Sequence, residues 1–144
     1  MAPQTYANHR QFVPLYHVVL NGVLFLTLIG ALVNLFKSFG DHERLYNASL
    51  IAVLAAAVLM LSFFARIFAL KAQDRAIRAE ENLRHYVLTG KLLPQTLDIR
   101  QVVALRFASD GEFAALAERA AREGLKSDDI KKSVKTWRAD TYRV

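Results

Sequence analysis

His17 has the clearest chemical potential of any side chain in this 144-residue sequence, because it lies at the start of a long apolar segment. An imidazole in that position can ligate haem or chlorophyll, or it can titrate near neutral pH. A two-ligand haem site would need a second histidine, and the other long apolar segment, residues 45–65, contains none. We therefore expect His17 to be an interfacial residue without a ligand, and we expect no cofactor.

Residue types that commonly perform catalysis occur here without the spacing that catalysis needs. The chain has no cysteine, which excludes disulfides, cysteine-based zinc sites and thiol nucleophiles. It also contains no glycine-rich phosphate loop and no HExxH or GxSxG motif. The carboxylates fall at helix starts or four residues before a basic side chain, as in Asp74 with Arg78, Glu80 with Arg84, and Glu81 with His85. We predict no catalytic residue, no metal site and no enzymatic activity, and the sequence identifies no small-molecule substrate.

Four basic residues, Arg66, Lys71, Arg75 and Arg78, follow the second apolar segment. Each Lys or Arg near an anionic membrane surface contributes about 1 kcal/mol to binding, so these four could contact anionic lipid headgroups. The same charges could instead only set the orientation of the chain and keep the following region soluble, and both interpretations stay open. Nucleic acid is not an expected partner, because the last predicted helix opens with Asp128 and Asp129, which would meet phosphates.

Two apolar segments must position these residues. The chain carries no Asp, Glu, Lys or Arg from residue 11 to residue 36, and it has 21 uncharged residues from 45 to 65. About 20 apolar residues suffice for a helix to cross a bilayer. We therefore predict two membrane helices, at about 12–37 and 45–66, after a polar lead-in at 1–11.

The distribution of basic residues predicts how the two helices cross the membrane. Residues 66–144 carry 16 Lys or Arg against 11 Asp or Glu, whereas the linker 37–44 carries two of each. Because Lys and Arg near the membrane ends mark the cytoplasmic side, the tail is expected in the cytoplasm. Two crossings place the N-terminus there too.

Small and polar side chains recur at helical spacing on one face of each predicted membrane helix. Such residues let helix backbones approach closely in lipid. We predict that the two faces pack together in an antiparallel hairpin, although packing between copies of the chain has the same pattern. The residues are Thr27, Gly30, Ala31 and Asn34 on the first helix, and Ala48, Ala52, Ala55 and Ser62 on the second.

The second helix is predicted to continue into the cytoplasm as an extension over residues 67–90, because no Gly or Pro interrupts it before Gly90. Its apolar residues form a narrow stripe with the spacing of a coiled-coil seam, at Ala72, Ala76, Ala79, Leu83 and Tyr86. A stripe this narrow is marginal alone. We expect it to bind the tail, a protein partner or another copy of the chain.

Residues 91–144 are predicted to form a small module of three short helices. Asp98 with Gln101 and Ser109 with Glu112 have the spacing of capping boxes, and Gly124 suits a helix end. In the second helix Phe113, Leu116, Ala117 and Ala120 should point inward. The third helix is expected to begin at Ser127–Asp129 and to present Ile130, Val134 and Trp137 on one face. The predicted fold class is all-α, a transmembrane hairpin with an extended second helix followed by a small helical bundle.

Three stretches carry a resemblance to known proteins, QTYANHRQFVPLYH at 4–17, LRFASDGEFAALAERA at 105–120 and DDIKKSVKTWRADTYRV at 128–144. In them the chain resembles a bacterial domain-of-unknown-function family of small membrane proteins with two transmembrane helices and a helical cytoplasmic tail. The resemblance spans nearly the whole chain and implies a bacterial inner-membrane location. It implies no functional residues, since the family has no established activity.

Three functions remain compatible with these patterns. The first is a non-enzymatic scaffold or accessory subunit of a larger membrane assembly, with lipids and a protein partner or further copies of the chain around it. The second is a homo-oligomeric channel or transport component in which Thr27, Gly30 and Asn34 face a pore. The third is a membrane-tethered tail that binds lipid or nucleic acid.

Overall fold

The computed structural model describes residues 4–9 and 11–140, and within them the chain is helical apart from turns and connecting segments. Residues 1–3, 10 and 141–144, which belong to the predicted lead-in and the end of the predicted tail, lie outside the described residues. The described residues form no strand, and one isolated antiparallel bridge joins Ala108 to Trp137. The predicted all-α class, with two long apolar helices followed by shorter ones, is confirmed.

The chain divides into two compact units. The hairpin unit is Phe12–Phe68. The tail unit contains the described residues up to Gln11 and those from Ala69 onward. The N-terminal segment, predicted only as a polar lead-in, therefore belongs to the same unit as the C-terminal helices.

The first apolar helix begins with π-helical turns at Leu15–Leu20 and continues as α1, Asn21–Lys37. The side-chain amide of Asn21 donates to the carbonyl oxygen of Tyr16, five residues earlier, at 2.7 Å. The Asn21 backbone N–H donates to the same carbonyl. A spacing of five residues is that of the wider π turn, so Asn21 marks the point at which the helix narrows to the α form.

A tight turn separates α1 from α2, which runs over His42–Thr89. Gly40 takes a left-handed φ of 97° in this turn, a conformation that costs glycine little. The Asp41 carboxylate then accepts a hydrogen bond from the N–H of Arg44 at 3.1 Å, which caps the new helix. This cap explains why α2 begins at His42, whereas the apolar pattern alone placed its start at residue 45.

The two helices of the hairpin unit run antiparallel. Ala31 of α1 packs with Ala52 and Ala55 of α2, while Tyr16, earlier in the chain, donates its hydroxyl to the carbonyl of Ser62, later in α2, at 2.9 Å. Both helices are long and apolar enough to cross a membrane, by length and composition.

Three short helices complete the tail unit, α3 (Ile99–Leu105), α4 (Asp110–Glu123) and α5 (Ser127–Ser133). The predicted capping box is confirmed at α3, where Asp98 and Gln101 exchange hydrogen bonds of 2.7 Å with each other's backbone N–H. Gly124, with φ of 61°, ends α4 as predicted. The fully buried side chains of this core include Leu97, Val102, Leu105, Phe107, Phe113 and Ile130, and the predicted inward residues Leu116, Ala117 and Ala120 are also buried.

Two predictions for the tail helices are wrong for one shared reason. The Ser109 side chain makes no capping bond, and α5 ends at Ser133, so Val134 and Trp137 lie on extended chain. The Glu112 carboxylate accepts hydrogen bonds from the N–H groups of Lys135 and Thr136, at 3.1 and 2.9 Å. These bonds hold the chain after α5 against the start of α4, so the Glu112 carboxylate binds a distant backbone as well as the Ser109 hydroxyl at its own helix end, 3.5 Å away.

Candidate functional site

The extension of α2 buries one face within the tail unit. Ile77, Glu81 and His85 are only 6%, 5% and 3% exposed, and their spacing of four residues keeps them on one side of the helix. Two of these three side chains are polar, which is unusual for a buried face because a buried polar group must find hydrogen bonds. The face is therefore held by specific polar contacts as well as by apolar packing.

Arg84 is the centre of these polar contacts. Its Nε donates to Asp110 at 2.7 Å, and its Nη1 donates to Glu81 at 2.9 Å. Its Nη2 donates to the carbonyl of Ala108 at 2.7 Å, and the guanidinium lies 4.3 Å from the centre of the Phe113 ring. The planar guanidinium of arginine suits these contacts, because its several N–H donors can reach different acceptors while its flat face stacks on an aromatic ring. The predicted partner Glu80 is not used, because Glu81 lies on the buried side and Glu80 does not.

A shallow cleft of about 340 Å³ opens beside this cluster, lined by Glu80, Glu81, Arg84, Asp110 and Arg138. Arg138 approaches the second oxygen of Glu81 at 3.6 Å. The charged groups of the cleft thus pair mainly with one another, and its chemistry is that of a structural ion-pair network. Among the described residues, no group of three or more His, Asp or Glu side chains could hold a metal ion.

His85 fixes the end of α2. Its Nδ1 lies 2.7 Å from the carbonyl oxygen of Lys91, which can only accept, so Nδ1 carries the proton. The ring meets the Phe113 ring edge-on at 5.9 Å, and the buried Nε2 has no hydrogen-bond partner within the described part of the chain. The Asn82 side chain also accepts a hydrogen bond from the N–H of Leu93 at 2.9 Å, which is a second contact between α2 and the segment that follows it. The predicted Glu81 and His85 pair is therefore replaced by bonds from each residue to other groups.

The predicted partner-binding stripe lies on the opposite face of the extension. Its five residues are all exposed, and they are Ala72, Ala76, Ala79, Leu83 and Tyr86. Leu83 is 63% exposed, Tyr86 53%, and the adjacent Val87 75%. At 100° per residue, Ala79 lies about 160° around the helix from both Ile77 and Glu81. The tail unit thus covers the face of α2 that contains Ile77, Glu81 and His85, and it leaves the stripe exposed.

The N-terminal segment packs on the last helix of the tail unit. The Tyr6 hydroxyl donates to Asp128 at 2.7 Å, and Lys132 pairs with the same carboxylate at 2.7 Å. The His9 ring lies 5.9 Å from the ring of Trp137 and stacks on Tyr6 at 5.6 Å. Residues 4–9, which we call the strap, thereby join the two ends of the described chain.

The strap contact perturbs three titratable groups. The hydrogen bonds from Lys132 and Tyr6 hold the pKa of Asp128 below its usual value. The bond to Asp128 raises the pKa of Tyr6, and the same carboxylate raises the pKa of Lys132. At Glu112 burial favours the neutral acid, but hydrogen bonds from the N–H groups of Thr136 and Lys135 and from Ser109 outweigh it and lower the pKa.

In the hairpin unit the predicted packing residues separate into two groups. Ala31, Ala48, Ala52 and Ala55 are buried, and Ser62 is half-buried. Thr27, Gly30 and Asn34 are exposed within one chain. Asn21, at the start of α1, accepts a hydrogen bond from the Ser62 hydroxyl at 3.2 Å.

His17 and the basic residues take ordinary structural positions. The His17 Nδ1 lies 2.9 Å from the Val13 carbonyl oxygen, and its ring stacks on Phe12 at 4.9 Å. Arg66 is half-buried with its guanidinium 5.8 Å from the Tyr16 ring. Lys71, Arg75 and Arg78 are exposed, and Arg78 also donates to the carbonyl of Leu97 at 3.1 Å.

The contacts that sequence reasoning missed join residues far apart in the chain, and they include Arg84 with Asp110, Glu112 with Thr136 and Tyr6 with Asp128. Their separations of 26, 24 and 122 residues leave no local spacing that could have indicated them. No curated protein and no solved structure matches the chain. A family model covers residues 1–144, and the chain belongs to this Family of unknown function (DUF6526).

Proposed function

We propose that this chain is a non-enzymatic integral membrane protein of the bacterial inner membrane, which serves as a scaffold or accessory subunit of a larger assembly. In this proposal the hairpin unit crosses the membrane twice and both chain ends lie in the cytoplasm. The tail unit presents the exposed stripe of the α2 extension to a protein partner.

The observation that carries the membrane part is the exposure of the hairpin unit's apolar side chains. Between Phe12 and Phe68, 25 large apolar side chains are exposed. Only 6% and 17% of the most apolar windows of the two helices are buried, whereas the core helix of a water-soluble protein is mostly buried. Leaving one Leu, Val or Phe in water instead of burying it costs about 1.5–3 kcal/mol, so this surface needs an apolar environment.

The grouping of the chain ends supports the proposed orientation. Both the segment before the first apolar helix and the region after the second belong to the tail unit. Two crossings return the chain to the side from which it started, so the strap and the C-terminal helices share one aqueous compartment. The excess of Lys and Arg after residue 66 favours the cytoplasm as that compartment.

The accessory role is supported by the stripe that the tail unit leaves uncovered. Leu83, Tyr86 and Val87 form an apolar surface on a helix whose opposite face is already fixed. Exposed apolar patches bordered by polar residues often mark protein interaction sites.

Native mass tests this role. The complex would be extracted from its own host at natural expression level and held in nanodiscs. We expect a defined assembly larger than one chain, and we expect Leu83→Glu to reduce its mass. Leu88→Glu is the matched control, because Leu88 is exposed on another side of the same helix and should leave the assembly intact. A bare monomer in the unsubstituted protein would overturn the proposal.

A pore is a second candidate, favoured by the exposure of Thr27, Gly30 and Asn34 on α1. Polar groups in a membrane helix commonly face protein or a water-filled cavity rather than lipid. A closed ring of this chain alone, with conductance in liposomes that Asn34→Leu abolishes, would favour the pore over the accessory role. The same ring without conductance would exclude it.

A further inference from the structure

We propose that the exposed stripe pairs with the same stripe of a second copy of this chain, in a parallel coiled coil that is in register. This inference rests on the proposed function and names the partner of its docking surface. Two observations support it, the spacing of the apolar residues in the stripe and the charged residues beside them.

The seam has the spacing that two parallel helices need. From Ala72 to Tyr86 the steps between stripe residues are four, three, four and three. Such alternation keeps every member facing a partner helix. Ala72, Ala76 and Ala79 permit close approach at one end, and Leu83 and Tyr86 supply apolar area at the other.

The charges beside the seam complement a second copy in one orientation. Arg75 directly precedes the seam residue Ala76, and Glu80 directly follows Ala79. In a parallel coiled coil these two flanking positions, five residues apart, face each other across the interface. Arg75 of each copy therefore meets Glu80 of the other, which gives two opposite-charge pairs related by the twofold axis. An antiparallel arrangement would instead bring flanking positions of the same kind together.

Both flanking side chains are available for this pairing. Arg75 and Glu80 are exposed, and neither forms an ion pair within the described residues. Arg84, four residues after Glu80, is committed to Glu81 and Asp110. The fold of the tail unit thus removes the local partner that would compete for Glu80.

The proposed membrane anchor favours the same arrangement. Two copies in one membrane share their orientation, so their extensions leave the bilayer in the same direction. Confinement to a surface also raises the effective concentration of one stripe near another. The helix is already folded against the tail unit, so association need not supply the cost of forming it.

Cysteine crosslinking tests the pairing directly, because the natural chain has no cysteine. Core positions of a parallel coiled coil bring identical residues within the roughly 4.4–6.8 Å Cα separation that a disulfide spans. In native membranes under mild oxidation, we expect Leu83→Cys to form a dimer of this chain. Leu88→Cys, the matched control, should remain monomeric because its position faces away from the seam.

Charge reversal in the Leu83→Cys background tests the register. Arg75→Glu turns both attractive pairs repulsive and is expected to slow crosslinking roughly tenfold. Adding Glu80→Arg should restore the original rate. Equal crosslinking of Leu83→Cys and Leu88→Cys, no crosslinking of Leu83→Cys, or failure of the double reversal to restore the rate would overturn the proposal.

The outcomes also separate this inference from the proposed function. A Leu83→Cys product that contains a different protein would overturn self-pairing and leave the accessory role intact. Absence of the chain from the membrane fraction would overturn the proposed function whatever the crosslinking shows.

Discussion

At the scale of single residues, Arg84 is the side chain on which the tail unit depends most. Its side chain is 11% exposed and that of its partner Glu81 is 6% exposed. Removing one member of a buried ion pair leaves the other charge without compensation, and the cost is typically several kcal/mol. Arg84 also donates to the Ala108 carbonyl, so its loss would leave that backbone acceptor without this hydrogen bond as well.

We expect Arg84→Ala to lower the free energy of unfolding of the tail unit by about 3 kcal/mol. Arg122→Ala serves as the control, because the Arg122 side chain is 74% exposed in its pair with Glu123 and should contribute under about 1 kcal/mol. The measurement is urea unfolding of the full chain in detergent, followed by the fluorescence of Trp137, the single tryptophan. Equal unfolding midpoints for the two variants would contradict the role given to Arg84.

At the scale of elements, the strap should be sensitive to acid. The pKa of Asp128 is lowered by its hydrogen bonds from Lys132 and Tyr6. A lowered carboxyl pKa stabilises the folded form above the ordinary value of 3.8, and this stabilisation is lost as the pH falls through the lower folded value. The strap should therefore loosen below about pH 4.

Trp137 fluorescence reports this loosening, because His9 of the strap lies against the Trp137 ring. We expect an acid transition in the unsubstituted protein and a transition at higher pH in Tyr6→Phe, which keeps the ring and loses the hydrogen bond to Asp128. Asp128→Asn should lose the part of the transition that comes from the strap, whereas the release of Lys135 and Thr136 on protonation of Glu112 remains. An identical transition in all three proteins would show that another group controls it.

The elements also show what sequence can predict. The Asp98 and Gln101 box and the helix end at Gly124 were predictable, because each depends on residues within four positions of one another. The choice of Glu81 over Glu80 by Arg84, and the end of α5 at Ser133, depend on partners 23–26 residues away. Periodicity identified the stripe on α2, but only the fold shows that the tail unit covers the other face.

At the scale of the whole molecule, the chain divides into a hairpin unit with many exposed apolar side chains and a tail unit that contains both described chain ends. The candidate site was predictable as a pattern, since its residues recur along one helix. The partner of this site was not predictable from the sequence. The sequence shows the stripe and the charges beside it, but it does not show which neighbouring side chains already form contacts within the tail unit. The structure supplies that information by committing Arg84, Asn82 and His85 to contacts within the tail unit.

Cysteine labelling in intact cells, with a maleimide that cannot cross membranes, tests the two-pass topology most directly. The sites are His42→Cys at the turn between the apolar helices and Arg100→Cys on α3, and both positions are exposed. We expect His42→Cys to be labelled from outside, whereas Arg100→Cys should be labelled only after the membrane is permeabilised. Labelling of Arg100→Cys in intact cells, or protection of His42→Cys there, would contradict the two-pass topology.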